Sequence, residues 1–160
     1  MKKVTILLVP AFALALSACD EGLEPVPFQG VSGGVTYSGS PPGSTEWVRV
    51  AAFVDLPQTE IDLLNFAAIS NELIPLADSA KYVVDLNTGV YRWLPVVWKK
   101  ADTPLSPDAL RILGWYNGGS GSFDTPRPVA VEANKETGDI DLIADYENAM
   151  TVEEALEAIR

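Results

Sequence analysis

The chain is 160 residues long, with 22 acidic residues, 11 basic residues, one cysteine and no histidine. Its net charge of −11 argues against a nucleic-acid partner and against electrostatic docking on anionic lipid. The lack of histidine removes the commonest general base, the commonest zinc ligand and every Ser-His or Cys-His nucleophile, and no cofactor is expected.

The first residues have the profile of a secretory signal. Lys2 and Lys3 form a basic start, and residues 4–16 are almost wholly apolar. At about 1.5 Å per residue, this apolar run covers roughly 20 Å as a helix, which is less than the ~30 Å hydrocarbon core of a bilayer. It therefore predicts a cleavable signal peptide over residues 1–18 rather than a transmembrane anchor.

The signal ends in Leu16, Ser17, Ala18 and Cys19. At every position this stretch resembles the lipobox of bacterial lipoproteins. The resemblance implies that a diacylglyceryl group alkylates the Cys19 thiol, that the signal is cut just before it, and that the new amine is acylated. The alternative is an ordinary signal cut near Ala18 beside a coincidental cysteine. Cys19 is the only cysteine and has no disulfide partner in the chain, which favours lipidation.

Lipidation predicts that the chain is anchored to a membrane of the bacterial cell envelope. Two or three acyl chains anchor firmly, because each buried methylene contributes about 0.8 kcal/mol. Asp20, Glu21 and Glu24 follow the cysteine. An acidic start resembles an inner-membrane retention signal in some bacteria and a surface-export signal in others, so the membrane and its face stay open.

The chain left after cleavage has 142 residues and a net charge of −13, which fits one acidic domain. Residues 19–29 are acidic and contain prolines, and they predict a lipidated N-terminus with a flexible tether. Residues 30–148 are assigned to the domain proper and residues 149–160 to a C-terminal helix.

Strand patterns recur through the domain, bounded by glycine, proline and other turn residues. They cover residues 31–37, 47–54, 82–86, 90–98, 128–133 and 139–146. Asn87-Thr88-Gly89 lies between the third and fourth of these runs and predicts a hairpin there. The fifth and sixth runs are expected to form a closing pair.

Alternation in the last run predicts one buried face and one solvated face. Ile140, Leu142, Ala144 and Tyr146 are expected to face the core. The opposite face carries Asp139, Asp141, Ile143 and Asp145.

Three segments have helical signals. Residues 59–68 combine helical spacing with a Thr59 cap, and Ser106-Pro107-Asp108 opens a turn or two. At the C-terminus, Thr151 and Glu154 form a capping box. The apolar stripe behind that box predicts an amphipathic helix packed on its own domain.

This pattern predicts an all-β fold, an antiparallel two-sheet β-sandwich of about seven strands, prealbumin- or Ig-like, with short loop helices. The layout also resembles the transthyretin-like and carboxypeptidase-regulatory-like sandwiches of bacterial envelope proteins. The matching pieces are Gly33-Gly34-Val35-Thr36-Tyr37-Ser38-Gly39, the strand-turn-strand through Tyr82, Gly89, Tyr91 and Trp93, and Ile140-Asp141-Leu142. The resemblance implies an accessory or binding module rather than an enzyme, and residues 57–80 form an insert that departs from it.

Trp98, Trp115 and Tyr116 are the candidate ligand-binding residues, because they lie near strand ends and loops. Exposed indoles there would provide a sugar-stacking platform, with residues 117–122 as a binding loop. The alternative is that these aromatics are buried and that the glycine-rich run only links two strands.

Two groups of carboxylates raise a further alternative, a carboxylate-dependent glycoside hydrolase, since paired carboxylates suffice for that reaction. They are Asp139, Asp141 and Asp145, and Asp55, Glu60 and Asp62. The competing interpretation is a solvated face. The sequence has no calcium loop, and no metal site is expected.

The leading hypothesis from the sequence is a lipid-anchored, non-catalytic envelope module for binding or assembly, with an envelope protein or glycan as partner. The runner-up is a carbohydrate-binding module that uses Trp98, Trp115 and Tyr116.

Lipidation can be tested by metabolic labelling with palmitate. We expect the wild-type chain to incorporate label and Cys19→Ser to incorporate none, because the thiol is the site of alkylation. A second variant, Ser17→Ala, keeps the thiol and a small residue before it, and it should still be labelled. Label in Cys19→Ser would contradict the assignment.

Overall fold

The computed structural model describes residues 28–75 and 77–160. The predicted signal peptide over residues 1–18 and the predicted lipidation site Cys19 lie outside this part of the chain. The described residues confirm the all-β sandwich. The strands are β1 (Gly30–Ser38), β2 (Thr45–Ala52), β3 (Ala68–Ile69), β4 (Ser79–Asp85), β5 (Gly89–Tyr91), β6 (Pro95–Lys100), β7 (Leu110–Trp115), β8 (Val129–Val131), β9 (Glu136–Thr137) and β10 (Leu142–Asp145). Two 3-10 helices (Glu60–Leu64 and Pro107–Ala109) and one α-helix, α1 (Val152–Ala158), complete the elements.

The first sheet has the strand order β10-β1-β4, and β9 also pairs with β1. β4 runs antiparallel to β1, with Val35 opposite Ala80. β10 runs parallel to β1, with Val35 opposite Leu142. β9 and β10 both run parallel to β1, so the last part of the chain follows β1 and does not pair with β8.

The second sheet is antiparallel, with the order β3-β2-β6-β7. β2 is an interior strand of this sheet, and Val48 lies opposite Trp98 on β6. A separate two-stranded ribbon pairs β5 with β8.

The predicted hairpin through Asn87-Thr88-Gly89 is wrong. β4 pairs with β1 in the first sheet, whereas β5 pairs with β8 and β6 joins the second sheet. The predicted closing pair is wrong for the same reason, because β8 and β10 lie in different sheets. Each of these runs is apolar enough to be buried against several partners, and a local turn signal cannot choose among them.

The main hydrophobic core lies between the two sheets. The first sheet contributes side chains from β1, β4 and β10, and the second sheet contributes alternate residues of β2 and β6. In the last strand, Ile140, Leu142 and Ala144 are buried while Asp139 and Asp141 are exposed, as the alternation predicts.

A second core covers the outer face of the second sheet. It joins sheet residues such as Ile112 and Trp115 to Val152, Ala155 and Leu156 of α1. The helix thus packs on its own domain. Thr151 caps it, and hydrogen bonds from the Thr151 backbone N–H and hydroxyl lower the pKa of Glu154.

The helix predicted over residues 59–68 is shorter than expected. Only Glu60–Leu64 is helical, as a 3-10 turn, and the chain then forms β3. The backbone N–H groups of Ala67 and Ser70 donate to Ala52 and Val50 of β2, each at 2.8 Å. These sheet hydrogen bonds satisfy the backbone groups that a longer helix would have used.

Gly33 of β1 allows the backbone at Ile140 to approach β1 closely at the parallel edge of the first sheet. A Cβ on Gly33 would lie 2.1 Å from the carbonyl oxygen of Ile140. That oxygen accepts a hydrogen bond from the buried Tyr82 hydroxyl at 2.7 Å, and Tyr82 lies opposite Gly33 on β4. Burial raises the pKa of Tyr82 above its usual value, so the phenol stays a donor.

We expect Gly33→Ala to lower the free energy of unfolding by at least about 2 kcal/mol, because a backbone carbonyl occupies the space of the new methyl group. Gly43→Ala is the matched control, since nothing lies within 4 Å of a Cβ there. Urea denaturation of both variants measures the difference. Equal stabilities would contradict the close approach.

Candidate functional site

An apolar groove lies on the outer face of the second sheet. Its floor comes from alternate residues of β2, β6 and β7, because side chains two apart on a strand share a face. The enclosed volume is about 90 Å³. We call it the outer-face groove, and its lining residues are Trp47, Ala51, Phe53, Leu63, Leu64, Phe66, Ile69, Val97, Leu105, Leu110 and Ile112.

The rim of the groove is exposed although it is apolar. The exposed fractions are 55% for Leu105, 39% for Leu64 and 38% each for Phe66 and Ile69. Single exposed apolar residues are ordinary, but a contiguous patch around a concave surface is typical of a binding site. The 3-10 turn places Leu63 inward and Leu64 at the rim. The turn that replaces the predicted helix therefore forms one wall of the groove.

Arg49 is a cation on the same face of the second sheet, beside the groove but not among its lining residues. Arg49 stands on β2 between Trp47 and Ala51, opposite Val97 of β6. Its guanidinium carbon lies 5.6 Å from the centroid of the Trp47 ring, a cation–π contact. Its Nη2 is 3.6 Å from a carboxylate oxygen of the exposed Glu72.

A second cation on this face, Lys99, already has its partners within the chain. The ammonium of Lys99 is buried, pairs with the Glu46 carboxylate and also donates to the carbonyls of Lys100 and Thr103, at 3.1 and 2.7 Å. Its donors are satisfied within the chain, so Lys99 acts structurally.

The aromatic platform expected from Trp98, Trp115 and Tyr116 is not formed. Trp98 is 8% exposed and packs between the sheets, with its indole N–H donating to Thr45 at 2.7 Å. Trp115 is 1% exposed, packs in the second core and donates to the carbonyl of Asp124. Tyr116 is half-buried against the main core. The two indoles belong to different cores and present no common surface to a sugar.

Residues 117–122 form a loop ordered by its own asparagine. The Asn117 side chain accepts hydrogen bonds from the N–H groups of Gly119 and Ser120, at 3.0 and 3.1 Å, and donates to the carbonyl of Gly121 at 2.7 Å. These bonds account for the polar side chain that the sequence places there.

Several of the candidate carboxylates act as local hydrogen-bond acceptors. Asp145 accepts from the backbone N–H groups of Glu147 and Asn148, at 3.0 and 3.1 Å, and Asp141 accepts from Gly34 at 2.7 Å. The backbone N–H of Thr59 leads the hydrogen bonds that lower the pKa of Asp62. A glycosidase acid needs a raised pKa, so Asp62 lacks that property.

Asp139 lies at an open polar cleft on the first sheet together with Ser32, Lys81 and Glu136. The Ser32 hydroxyl donates to Glu136. Within residues 28–75 and 77–160, no group of three or more Cys, Asp or Glu side chains could hold a metal ion.

The outer-face groove could not be predicted from the sequence. The available signal was the apolar residues Leu64 and Phe66 in the predicted helix over residues 59–68, together with Leu105 in a loop. Only the fold shows that these segments meet over one sheet face.

No protein-family model, no curated protein and no solved structure is significantly similar to this chain. In the part that the structure describes, no helix has the length and apolar character needed to cross a bilayer.

Fluorescence quenching checks the positions of the indoles. Trp47 is half-buried, whereas Trp93, Trp98 and Trp115 are at most 8% exposed. We therefore expect Trp47→Phe to remove most of the acrylamide-quenchable emission of the folded chain. Trp98→Phe is the control and should leave that component in place. Loss of quenching in the control instead would contradict the burial of Trp98.

Proposed function

We propose that this chain is a lipid-tethered, non-catalytic binding module of the bacterial cell envelope, and that the outer-face groove is its binding site. The observation that supports the binding site best is the groove itself, a concave surface lined wholly by hydrophobic and aromatic residues. Its exposed rim offers apolar area that a bound group would remove from water.

The tether in this proposal depends on the sequence. The run from Leu16 to Cys19 resembles a lipobox at each position, and an accessory role is what the domain's resemblance to envelope sandwiches implies. An acidic body carried by a lipid anchor would stay hydrated at the membrane surface, since its net charge disfavours adsorption on anionic headgroups.

Binding suits the groove better than catalysis. The side chains that line it include no carboxylate, amine, hydroxyl or thiol, and so supply neither a nucleophile nor a general acid or base. What these walls offer is shape and apolar contact, which bind a ligand without activating it.

A neutral apolar fluorophore, phenylnaphthylamine, tests the groove. We expect it to bind the Cys19→Ser chain, and the double variant Phe66→Ser/Leu105→Ser to weaken binding about tenfold, because two rim contacts are lost. Fluorescence titration measures both affinities.

The matched control is Val83→Ser/Val90→Ser, whose side chains are 45% and 53% exposed but lie outside the groove. It should bind the fluorophore as the parent chain does. Equal weakening in both double variants, or no binding by the parent chain, would refute the proposal.

A further inference from the structure

Arg49, the cation beside the groove, is incompletely satisfied. Among the residues that the structure describes, the buried Nε of Arg49 has no hydrogen-bond partner. Its single ion pair, with Glu72 at 3.6 Å, joins side chains that are 30% and 57% exposed. Such pairs contribute about 0–1 kcal/mol, so an incoming anion can replace the Glu72 carboxylate at little cost.

The groove walls restrict what can accompany that anion. A peptide backbone or a sugar brings polar groups that need hydrogen-bond partners once they leave water. Apart from the indole N–H of Trp47, the lining side chains have no polar group to offer. An alkyl chain has no such requirement, and it is the occupant that these walls fit.

The dimensions agree with a chain that lies partly open. The enclosed volume of about 90 Å³ is smaller than the ~150 Å³ cavity that holds benzene in another protein. At about 3.3 Å per residue, the chain runs roughly 13 Å from Arg49 on β2 to Phe53 just beyond it, which is the length of floor on that side of the cation. A narrow chain can follow that line with one end enclosed and its remaining length against the exposed rim.

The acidic body does not cancel the local attraction. At physiological ionic strength the Debye length is about 8 Å, so distant surface carboxylates are screened. A carboxylate beside the Trp47 ring would interact chiefly with Arg49, because the Lys99 ammonium is already paired with Glu46.

From these contacts we propose that the groove takes a fatty carboxylate, with its alkyl chain on the groove floor and its carboxylate on the Arg49 guanidinium. This inference rests on the proposed function, because it names the ligand class of the same groove. The carboxylate would occupy the place of the Glu72 carboxylate beside the Arg49 guanidinium.

The experiment measures how dodecanoate and dodecanol displace phenylnaphthylamine from the Cys19→Ser chain, below their aggregation concentrations. We expect dodecanoate to bind about tenfold more tightly than dodecanol, as a charge-assisted hydrogen bond allows. Arg49→Gln should reduce this preference to less than about twofold and leave dodecanol binding unchanged. Arg92→Gln is the matched control, since Arg92 also pairs weakly with a carboxylate, Asp55 at 3.9 Å, whereas Arg49 is the cation that stacks on the groove residue Trp47.

Glu72→Gln tests for a gain in dodecanoate affinity, which a misfolded variant would not show. Removing the competing carboxylate should strengthen dodecanoate binding about twofold to threefold without changing dodecanol binding. Equal affinities for dodecanoate and dodecanol, or a preference that survives in Arg49→Gln, would overturn the fatty-carboxylate inference while the binding site stands. Failure of the fluorophore and of both ligands to bind would overturn the proposed function as well.

Discussion

Burial of both faces of the second sheet is the constraint that shapes this molecule. The inner faces of β2 and β6 are apolar, and Trp47, Ala51 and Val97 make much of their outer face apolar too, so one layer of cover cannot keep both faces from water. The first sheet covers the inner face completely. On the outer face, α1 packs against β7, and the 3-10 turn Glu60–Leu64 packs beside it. These elements are short, and their incomplete cover leaves the outer-face groove beside the 3-10 turn.

The fold could be predicted where a local pattern decides the structure. β1, β2, the alternation before Tyr146 and the capped terminal helix all follow from spacing and capping within a few residues. Strand pairing was not predictable, because several apolar runs compete for the same partners and loop connections do not identify the sheet. The prediction of an aromatic site at Trp98, Trp115 and Tyr116 was wrong for a related reason. Trp98 and Trp115 stand near strand ends in sequence, but their depth depends on which layer packs above them.

The acidic composition turned out to serve local structure at several positions. Asp62, Asp145 and Glu154 each accept backbone N–H hydrogen bonds at a turn or a helix start, where a carboxylate replaces a missing partner. Because these groups are bound to neighbouring backbone, they are poorly placed to converge on a substrate. The sequence shows that such residues exist, whereas only the structure separates capping carboxylates from a catalytic pair.

A small, half-open groove has a physical advantage for a domain that is anchored to a bilayer. On the proposed lipid tether, the groove stays within a short chain length of a surface rich in amphiphiles. Tethering raises the effective concentration of such ligands, so modest affinity is enough for occupancy and rapid release is retained. Deep enclosure would slow that exchange. In the proposed function, the exposed rim of Leu64, Phe66 and Leu105 suits reversible binding better than storage, and Arg49 would supply the orientation that apolar contact alone cannot give.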